Sequence, residues 1–436
     1  MRIKNKQLYN HIRVHQILPL PTVSTIYGYL RNYGGTFGFQ PQTLQMLAER
    51  TGGLKTGQRR GVILIDEMKL TPGTYFDVSY LKVGGFKDMG EDTEEALGED
   101  FREEVEEALA KLPEDPRAQQ KQARRAKAKE KNEKNRDKNL RDHALVITFQ
   151  PFSGKWVQAI ACFLSKGNAD TEELTKLVLE ATILPEKSNL LVDGVVTDGA
   201  SWNRSMWNKF GVNEDNPSVE HPSDSTRRLW FLSDFPYLLK CMWNCLVNKK
   251  IILTPDGDIK LDHWKAIVDA QNLKQIGIRV AHKLTKEHLD PNPWQKMKCR
   301  MAWEFWSRSA APAMDCLRFQ GYDKLDDCSA SVKWCQLIND LADAMNANRP
   351  ENAVRSESSA YKKIGEFLEE FKKLKEWANQ KLKEKLEIGE RARITQLKKK
   401  GKNPRGRAEK YFQQQDWIFS ESTDIGLLVS LKAAQQ

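Results

Sequence analysis

The sequence predicts an α/β fold, in which a mixed sheet of short strands is followed by a long, largely helical region. Short apolar runs rich in β-branched residues recur up to about residue 234, and several end in an acidic residue. Amphipathic stretches rich in Glu and Lys dominate from about residue 250 to 418. With 436 residues, 40% of them hydrophobic, the chain has the length for two or three domains with buried cores. A wholly disordered protein is therefore excluded.

Composition and charge exclude further classes. No apolar run reaches the roughly 18 residues of a membrane-spanning helix, so no membrane partner is expected. The charged N-terminus lacks an apolar segment behind it, which predicts no signal peptide. The seven cysteines are therefore expected as thiols, and Cys241 and Cys245 lack the further ligands of a zinc site. No phosphate-binding loop of the G-x-x-x-x-G-K-[ST] type occurs.

Residues 1–57 are predicted as a helical N-terminal segment. The two prolines of Ile17–Pro21 indicate a turn, and Ser24–Leu30 begins with hydroxyl residues that favour a helix cap.

Residues 58–235 are predicted as the sheet domain. Six apolar runs in it have the composition of strands: Arg60–Asp66, Thr74–Phe86, Ala144–Phe149, Val157–Phe163, Leu190–Thr197 and Arg228–Asp234. The spacing of apolar residues over Thr171–Leu184 predicts a helix between the fourth and fifth of these runs.

A charged arm over residues 88–142 interrupts this domain. Its first part is acidic and favours a helix, whereas Arg117–Arg141 has almost no apolar residues and cannot fold on its own. Two interpretations stay open for the arm. It is either a solvated segment without a ligand, or a segment for nucleic-acid binding or nuclear import.

Residues 236–420 are predicted as a helical domain, and residues 421–436 as a return to the sheet domain. Pro236 favours the first turn of a helix that runs to about Val247. Further helices are predicted at Asp262–Gln271, Trp294–Met314, Ser329–Asn346 and Tyr361–Leu397. The basic run Lys398–Arg407 would contact phosphate or form a surface loop.

Three of the predicted strands are followed by or end in an acid, namely Asp66, Asp198 and Asp234. Side chains at the carboxyl ends of strands project into the crevice where α/β sheets bind ligands. In a ribonuclease-H-like sheet, strands one and four are parallel neighbours, which would bring Asp66 and Asp198 together. Two close carboxylates need a cation, and Mg²⁺ suits oxygen ligands. For each acid taken alone, a helix cap or turn is the alternative.

Five segments around these acids resemble the P element transposase family, which includes proteins that begin with a THAP zinc finger. They are Gly61–Met68, Val195–Ser201 with Asn203 and Trp207, His221–Asp224, Phe231–Lys240 and Ser422–Ser430. The likeness extends over most of the chain from about residue 12, except the charged arm.

The resemblance implies a ribonuclease-H-like catalytic domain interrupted by a largely helical insertion that binds GTP. Asp66 and Asp198 match the family's metal-binding catalytic acids, which use Mg²⁺ or Mn²⁺. Asp234 and Lys240 match its Asp-Pro-Pro-His-Leu-Leu-Lys-like segment and would contact the guanine nucleotide. The implied partner is DNA at transposon ends, the implied location is the nucleus, and a homo-oligomer is compatible with the family.

The sequence also departs from the family pattern. No cysteine precedes Cys162, so the zinc finger is not expected, and no Glu segment follows Ser430 to supply a third acid. We therefore expect an incomplete P-element-type transposase that cleaves and joins DNA weakly or not at all by itself. The alternatives are a non-catalytic nucleic-acid-binding regulatory module and a helical structural protein without a ligand.

Overall fold

The structure is a computed structural model. It describes residues 6–15, 17, 20–22, 24–25, 37–71, 75–77, 82–84, 99–113, 142–154, 156–165, 171–273, 280–347, 350–399 and 421–435. The internal contacts of the chain divide it into two units, which are residues 1–111 with 115–193, and residues 112–114 with 194–436.

The strands of the described ranges form one large sheet and two hairpins. They are β1 (Gly38–Phe39), β2 (Arg60–Lys69), β3 (Tyr75–Asp77), β4 (Lys82–Gly84), β5 (His143–Pro151), β6 (Gln158–Ser165), β7 (Leu191–Thr197), β8 (Ser218–His221), β9 (Asp224–Ser233), β10 (Ile251–Thr254) and β11 (Gly257–Lys260). The large sheet has the order β1-β6-β5-β2-β7-β9-β8, while β3 pairs with β4 and β10 with β11. It contains antiparallel and parallel pairs, which confirms the predicted mixed sheet.

The helices of the described ranges are numbered in chain order. They are α1 (Lys6–Val14), α2 (Pro41–Thr51), α3 (Thr56–Arg59), α4 (Glu99–Ala110), α5 (Thr171–Lys187), α6 (Ser201–Lys209), α7 (Phe235–Lys249), α8 (Leu261–Leu273), α9 (Lys286–Leu289), α10 (Pro293–Lys296), α11 (Cys299–Phe305), α12 (Ala310–Phe319), α13 (Ser329–Met345), α14 (Ser359–Lys399) and α15 (Glu421–Gln435). Two short 3₁₀ helices lie at Asp323–Leu325 and Pro350–Asn352. None of these described helices has the length and apolar composition needed to cross a membrane.

The first unit is built around β2 and its antiparallel neighbour β5. Alternate residues of β2 point to opposite faces, so Ile63 and Ile65 are buried while Asp66 is exposed. Ile65 lies opposite the buried Ile147 of β5. An ion pair joins the start of β2 to β7, because Nε and Nη2 of Arg60 each donate to a carboxylate oxygen of Asp193 at 2.7 Å.

The second unit combines strands with most of the helices. Gly194–Thr197 of β7 pair in parallel with Trp230–Ser233 of β9, and β8 is antiparallel to β9. Helix α15 packs against β9 and α7. The core of the helical region includes Trp264, Phe305 and Trp306, which are at most 3% exposed. Their burial contributes to the stability of this region.

Several elements differ from the sequence predictions. The segment 1–57 contains strand β1, whose Gly38 lies opposite Cys162 of β6. The run Thr74–Phe86 contains the hairpin β3–β4 instead of one strand, because its residues reverse direction within a few positions. The acidic part of the arm contains α4, whose Phe101 and Val105 are buried. The run Trp294–Met314 contains three helices instead of one.

Other predictions fall on parts of the chain that the structure does not describe. Arg117–Arg141 lies wholly outside the described residues, as do most of Ser24–Leu30 and the part of the basic run after Lys399. All seven cysteines are described, and they are thiols, as predicted.

Candidate active site

Asp66 is an exposed residue in the middle of a strand. Strand β2 continues past it to Lys69, so Asp66 does not end the strand as the sequence predicted. Its Oδ1 accepts a hydrogen bond from the backbone N–H of Glu67 at 2.9 Å. Because Asp66 is on the face opposite Ile63 and Ile65, its carboxylate is directed away from the apolar face that those two residues cover.

Asp198 follows β7 directly and is held in the turn that begins α6. Its Oδ1 accepts from the backbone N–H of Ala200 at 2.9 Å and from Nδ2 of Asn203 at 2.7 Å. Asn203 is only 4% exposed. A Cβ added to Gly199 would lie 2.5 Å from the Tyr237 ring, so the turn needs a glycine. Both hydrogen bonds orient the Asp198 carboxylate.

Arg204 is a buried cation in the same helix. Its Nη2 donates to Oγ of Ser233 at 2.8 Å, and its guanidinium lies 4.1 Å from the centre of the Trp207 ring. Burial lowers the pKa of Arg204 to about 10, and the charge of Asp198 acts in the opposite direction.

Helix α15 packs directly onto this guanidinium. A Cβ added to Gly426 would lie 2.4 Å from Nη2 of Arg204 and 2.9 Å from Oγ of Ser233. The backbone N–H of Ser233 donates to Oγ of Ser430 at 2.7 Å. Only glycine at position 426 therefore allows the helix to lie this close.

Asp234 and Lys240 lie on the first turns of α7. Asp234 is the N-cap, and its Oδ2 accepts from the backbone N–H of Tyr237 at 3.2 Å. The Lys240 ammonium lies 4.2 Å from the centre of the Tyr237 ring. Burial raises the pKa of the Tyr237 hydroxyl to about 12, so it stays protonated at neutral pH. Asp234 therefore caps a helix, which is the alternative role that the sequence analysis allowed for it.

A cleft of about 480 Å³ lies in the helical region. Its lining contains three cations, two acids, an indole and two small polar side chains: Lys283, Arg300, Trp303, Glu304, Ser307, Arg308, Asn339 and Asp343. The Trp303 ring meets the ring of Phe235, the residue after Asp234, with centres 6.3 Å apart. This volume suits a small organic ligand.

The structure groups some of the predicted residues and leaves others in separate units. Asp198, Asp234 and Lys240 belong to the second unit and Asp66 to the first, while β2 and β7 are neighbours in the strand order. Within the described ranges, no group of three or more His, Cys, Asp or Glu side chains is placed to hold a metal. The pairing of Asp66 with Asp198 stays a prediction.

Sequence reasoning missed Arg204, although a lone cation between Trp202 and Trp207 was a visible signal.

Two family models match this chain. The model described as "TNP-like, RNase H N-terminal domain" matches residues 35–110 and 125–211. The model described as "TNP-like, GTP-binding insertion domain" matches residues 236–358, so that together they cover about two thirds of the chain. The chain belongs to the P element transposase family. The cleft and Lys240 both lie within the part of this family member that matches the insertion-domain model.

Known members of the P element transposase family match at low identity. The Drosophila melanogaster "Transposable element P transposase" is 24% identical over 162 residues, which is 37% of this chain and 21% of that protein. The human "DNA transposase THAP9" is 23% identical over 170 residues, 36% of this chain and 18% of that protein. The matched segments thus span about a fifth of the length of these curated relatives.

A solved structure of the family confirms the predicted fold class. The "Drosophila P element transposase strand transfer complex" is 15% identical, with a TM-score of 0.63 over 99% of this chain and 76% of that chain. The fold is therefore a ribonuclease-H-like mixed sheet with a largely helical insertion.

Proposed function

We propose that this protein is a P-element-type DNA transposase in which Asp66 and Asp198 bind Mg²⁺ or Mn²⁺ for DNA cleavage and strand transfer. The observation that carries the proposal is the strand order, because β2 bears Asp66, β7 leads into Asp198, and these strands are neighbours. The relatives are named as transposases, and one of them was solved as a strand transfer complex.

The ion pair at the start of the two strands supports this proposal. Arg60 bonds Asp193 within the first unit. Asp66 follows Arg60 by six residues, and Asp198 follows Asp193 by five. Strands advance about 3.3 Å per residue, so both acids lie at a similar distance along the chain from this pair, roughly 16 to 20 Å.

The donor set fits a hard divalent cation. Mg²⁺ commonly binds one or two carboxylates and completes its shell with water and substrate phosphate, so two acids suffice for one ion. A cation bound by these acids would supply polarisation of the phosphodiester and activation of water or a 3′ hydroxyl. The contribution of this chain is to hold the carboxylates in place. For Asp198, Ala200 and Asn203 do so by their hydrogen bonds to Oδ1.

A guanine nucleotide is the second ligand that we propose, bound to the insertion domain. Lys240 and Asp234 on the first turns of α7 would contact it, and the adjoining cleft would provide the rest of the binding surface. Arg300 and Arg308 suit phosphate oxygens, and the Trp303 ring suits a base. The edge contact between Phe235 and Trp303 links the two parts of this face.

A cleavage assay tests the metal site. The full chain is incubated with transposon-end DNA and Mg²⁺ or Mn²⁺, and nicked and joined products are measured. Asp66→Asn and Asp198→Asn should each lower the rate at least about 100-fold, because each removes a charged ligand. Glu67→Gln is the matched control, since Glu67 points to the opposite face of β2. Robust cleavage by either Asn variant would contradict the assignment.

Nucleotide titration tests the second ligand. GTP and ATP binding are measured by calorimetry for the wild type, Lys240→Ala and Arg308→Ala. We expect preference for GTP and about tenfold weaker binding in each variant, because each loses a charge-assisted contact to phosphate. Lys333→Ala is a matched loss of charge outside the cleft and should bind like the wild type. Unchanged affinity in both test variants would exclude this face.

The alternative function is a non-catalytic nucleic-acid-binding regulatory module in the nucleus. The net charge of +10 favours it, because phosphate contacts depend on cationic residues. If the wild type binds DNA with an affinity that falls steeply with salt, yet does not cleave it with either metal, this function replaces the first.

A further inference from the structure

We propose that the exposed face of helix α10, together with the adjoining side of α7, binds an unpaired DNA strand and that Trp294 stacks on one of its bases. Both helices belong to the second unit. The identity of the polymer rests on the proposed function. The inference adds to that function a surface that holds the strand beside the candidate active site.

Trp294 differs in exposure from other tryptophans of the helical region. It is 77% exposed, whereas Trp243, Trp264 and Trp334 are at most 2% exposed. Met297, three residues further along the chain and therefore on the same side of the turn, is 65% exposed. A large apolar side chain in water lacks the favourable free energy that burial would give it. Two of them side by side therefore indicate a contact surface.

Helix α10 is held firmly in place under these two side chains. Oδ1 of Asn292 accepts from the backbone N–H of Gln295 at 2.9 Å, and Oε1 of Gln295 accepts from the backbone N–H of Asn292 at 2.8 Å. Nζ of Lys296 donates to Oδ1 of Asn248 at 2.9 Å, and Nδ2 of Asn244 donates to the carbonyl of Lys296 at 3.1 Å. These bonds join α10 to α7. A base that stacks here therefore has little protein backbone to order.

The two segments that form this surface contain cations and no acids. Neither residues 235–250 nor residues 293–299 include an Asp or a Glu. Their cations are Lys240, Lys249, Lys250, Lys296 and Lys298. Lys240, Asn244 and Asn248 recur at every fourth residue, so they lie along one side of α7, the side to which α10 is bonded. A surface of this composition is complementary to the phosphates of a nucleic acid.

Helix α7 leads from the candidate active site to this surface. Its first turn lies beside the turn of Asp198, because a Cβ added to Gly199 would lie 2.5 Å from the Tyr237 ring. From Tyr237 to Asn248 the helix advances about 16 Å, the length of about five phosphates along one DNA strand. A strand lying along α7 with a base on Trp294 would therefore extend to the turn of Asp198.

The exposed indole favours an unpaired strand over the other occupants. Stacking on Trp294 needs a base with a free face, and the bases inside a duplex already stack on one another. A stable protein interface buries about 800 Å² per partner, and charged residues are depleted from its core. Two apolar side chains beside lysines do not form such a core.

A binding titration tests the stacking contact. Binding of labelled oligothymidine to the full chain is measured by fluorescence anisotropy in EDTA at several salt concentrations. Trp294→Ala should weaken binding about tenfold at every salt concentration, because stacking releases no counterions, and Trp294→Phe should recover most of the affinity. Phe319→Ala is the matched control, since Phe319 is 83% exposed and lies on α12. No binding by the wild type, or wild-type affinity in Trp294→Ala, would overturn the proposal.

Two further measurements separate the charge contact and the other occupants. Lys298→Gln should lower the slope of log affinity against log salt by about 0.7, the value for one phosphate of a single strand, whereas Lys333→Gln should leave the slope unchanged. Equal losses of duplex and single-strand affinity in Trp294→Ala would contradict the unpaired strand. If sedimentation shows that Trp294→Ala abolishes self-association of the DNA-free chain and leaves DNA binding intact, the face is an interface between copies and the proposal fails.

Failure of this proposal can be distinguished from failure of the proposed function, because the titration uses no divalent metal. If Trp294 governs DNA binding but the wild type cleaves no DNA with Mg²⁺ or Mn²⁺, the surface stands and the metal site fails. If the wild type cleaves DNA while Trp294→Ala binds it normally, the metal site stands and the surface fails.

Discussion

The buried polar groups of the two units are satisfied in different ways. In the first unit, buried hydroxyls bond within their own helix, as Thr51 does to the carbonyl of Leu47 and Thr182 to that of Val178. In the second unit, two of the buried hydroxyls bond across the chain, whereas Thr254 bonds the nearby carbonyl of Gly257. Ser331 bonds His263, 68 residues away, and Ser233 bonds Ser430, 197 residues away.

This difference predicts how strongly the stability of each unit responds to the loss of a polar side chain. A local bond forms wherever the helix forms and adds little to tertiary specificity. A long-range bond exists only in the folded region, and its loss leaves a buried partner unsatisfied. We therefore expect the second unit to respond more strongly than the first to single substitutions of its long-range polar partners.

The largest effect is expected in the aromatic core of the helical region. Trp264 stacks on Phe305 with ring centres 4.7 Å apart and meets Trp306 edge-on at 5.4 Å. Trp264→Ala should lower the free energy of unfolding by about 4 kcal/mol, because it leaves a large cavity. Chemical denaturation measures this loss. Trp294, which is 77% exposed, is the control, and its replacement by Ala should change stability by less than about 0.5 kcal/mol.

A matched pair of hydroxyl removals tests the comparison directly. Ser331→Ala leaves Nδ1 of His263 and the backbone N–H of Lys260 without their partner and should cost about 2 kcal/mol. Thr182→Val removes a buried hydroxyl whose acceptor belongs to its own helix, and should cost less than about 1 kcal/mol. Equal losses in denaturation would show that the distance between partners along the chain does not matter.

The helical region should also carry a pH dependence. Burial lowers the pKa values of His263 and His288, although Asp327 and Glu304 partly oppose this shift. The unfolded chain then binds more protons as pH falls below about 6.5, so stability is present above that pH and is lost below it. Melting temperatures between pH 7.5 and 5 should fall more for the wild type than for His263→Gln/His288→Gln. A steeper fall in the double variant would reverse this sign.

The smallest effect is expected at the surface of the same region. Lys333 contacts Asp256 and Glu370, each at 2.6 Å, but its side chain is 44% exposed. Lys333→Ala should cost no more than about 1 kcal/mol and less at high salt, because water screens such pairs. A larger, salt-insensitive loss would place this ion pair among the strong contacts of the region.

The strands of the sheet were predicted from the sequence more accurately than the helix boundaries of the helical region. The apolar run at Arg60–Asp66 predicted β2, since a buried strand needs a continuous local pattern, although the strand extends to Lys69. The run Trp294–Met314 predicted one helix, but its breaks depend on packing against residues far along the chain. The same applies to the site. Asp198 could be predicted from its position at a strand end. The buried position of Arg204 could not, because it depends on contacts with Ser233 and Gly426, which are distant in the sequence.

The hydrogen bond from Ser233 to Ser430 brings the entrance and exit of the helical region to one point on the second unit. A segment that departs from and rejoins its host at one spot leaves the surrounding strand pairs intact, whatever its size. A segment anchored in this way can be inserted or removed without rebuilding the parallel pair of β7 and β9. Replacing the helical region by a tight turn is therefore a way to engineer a smaller protein that keeps the sheet.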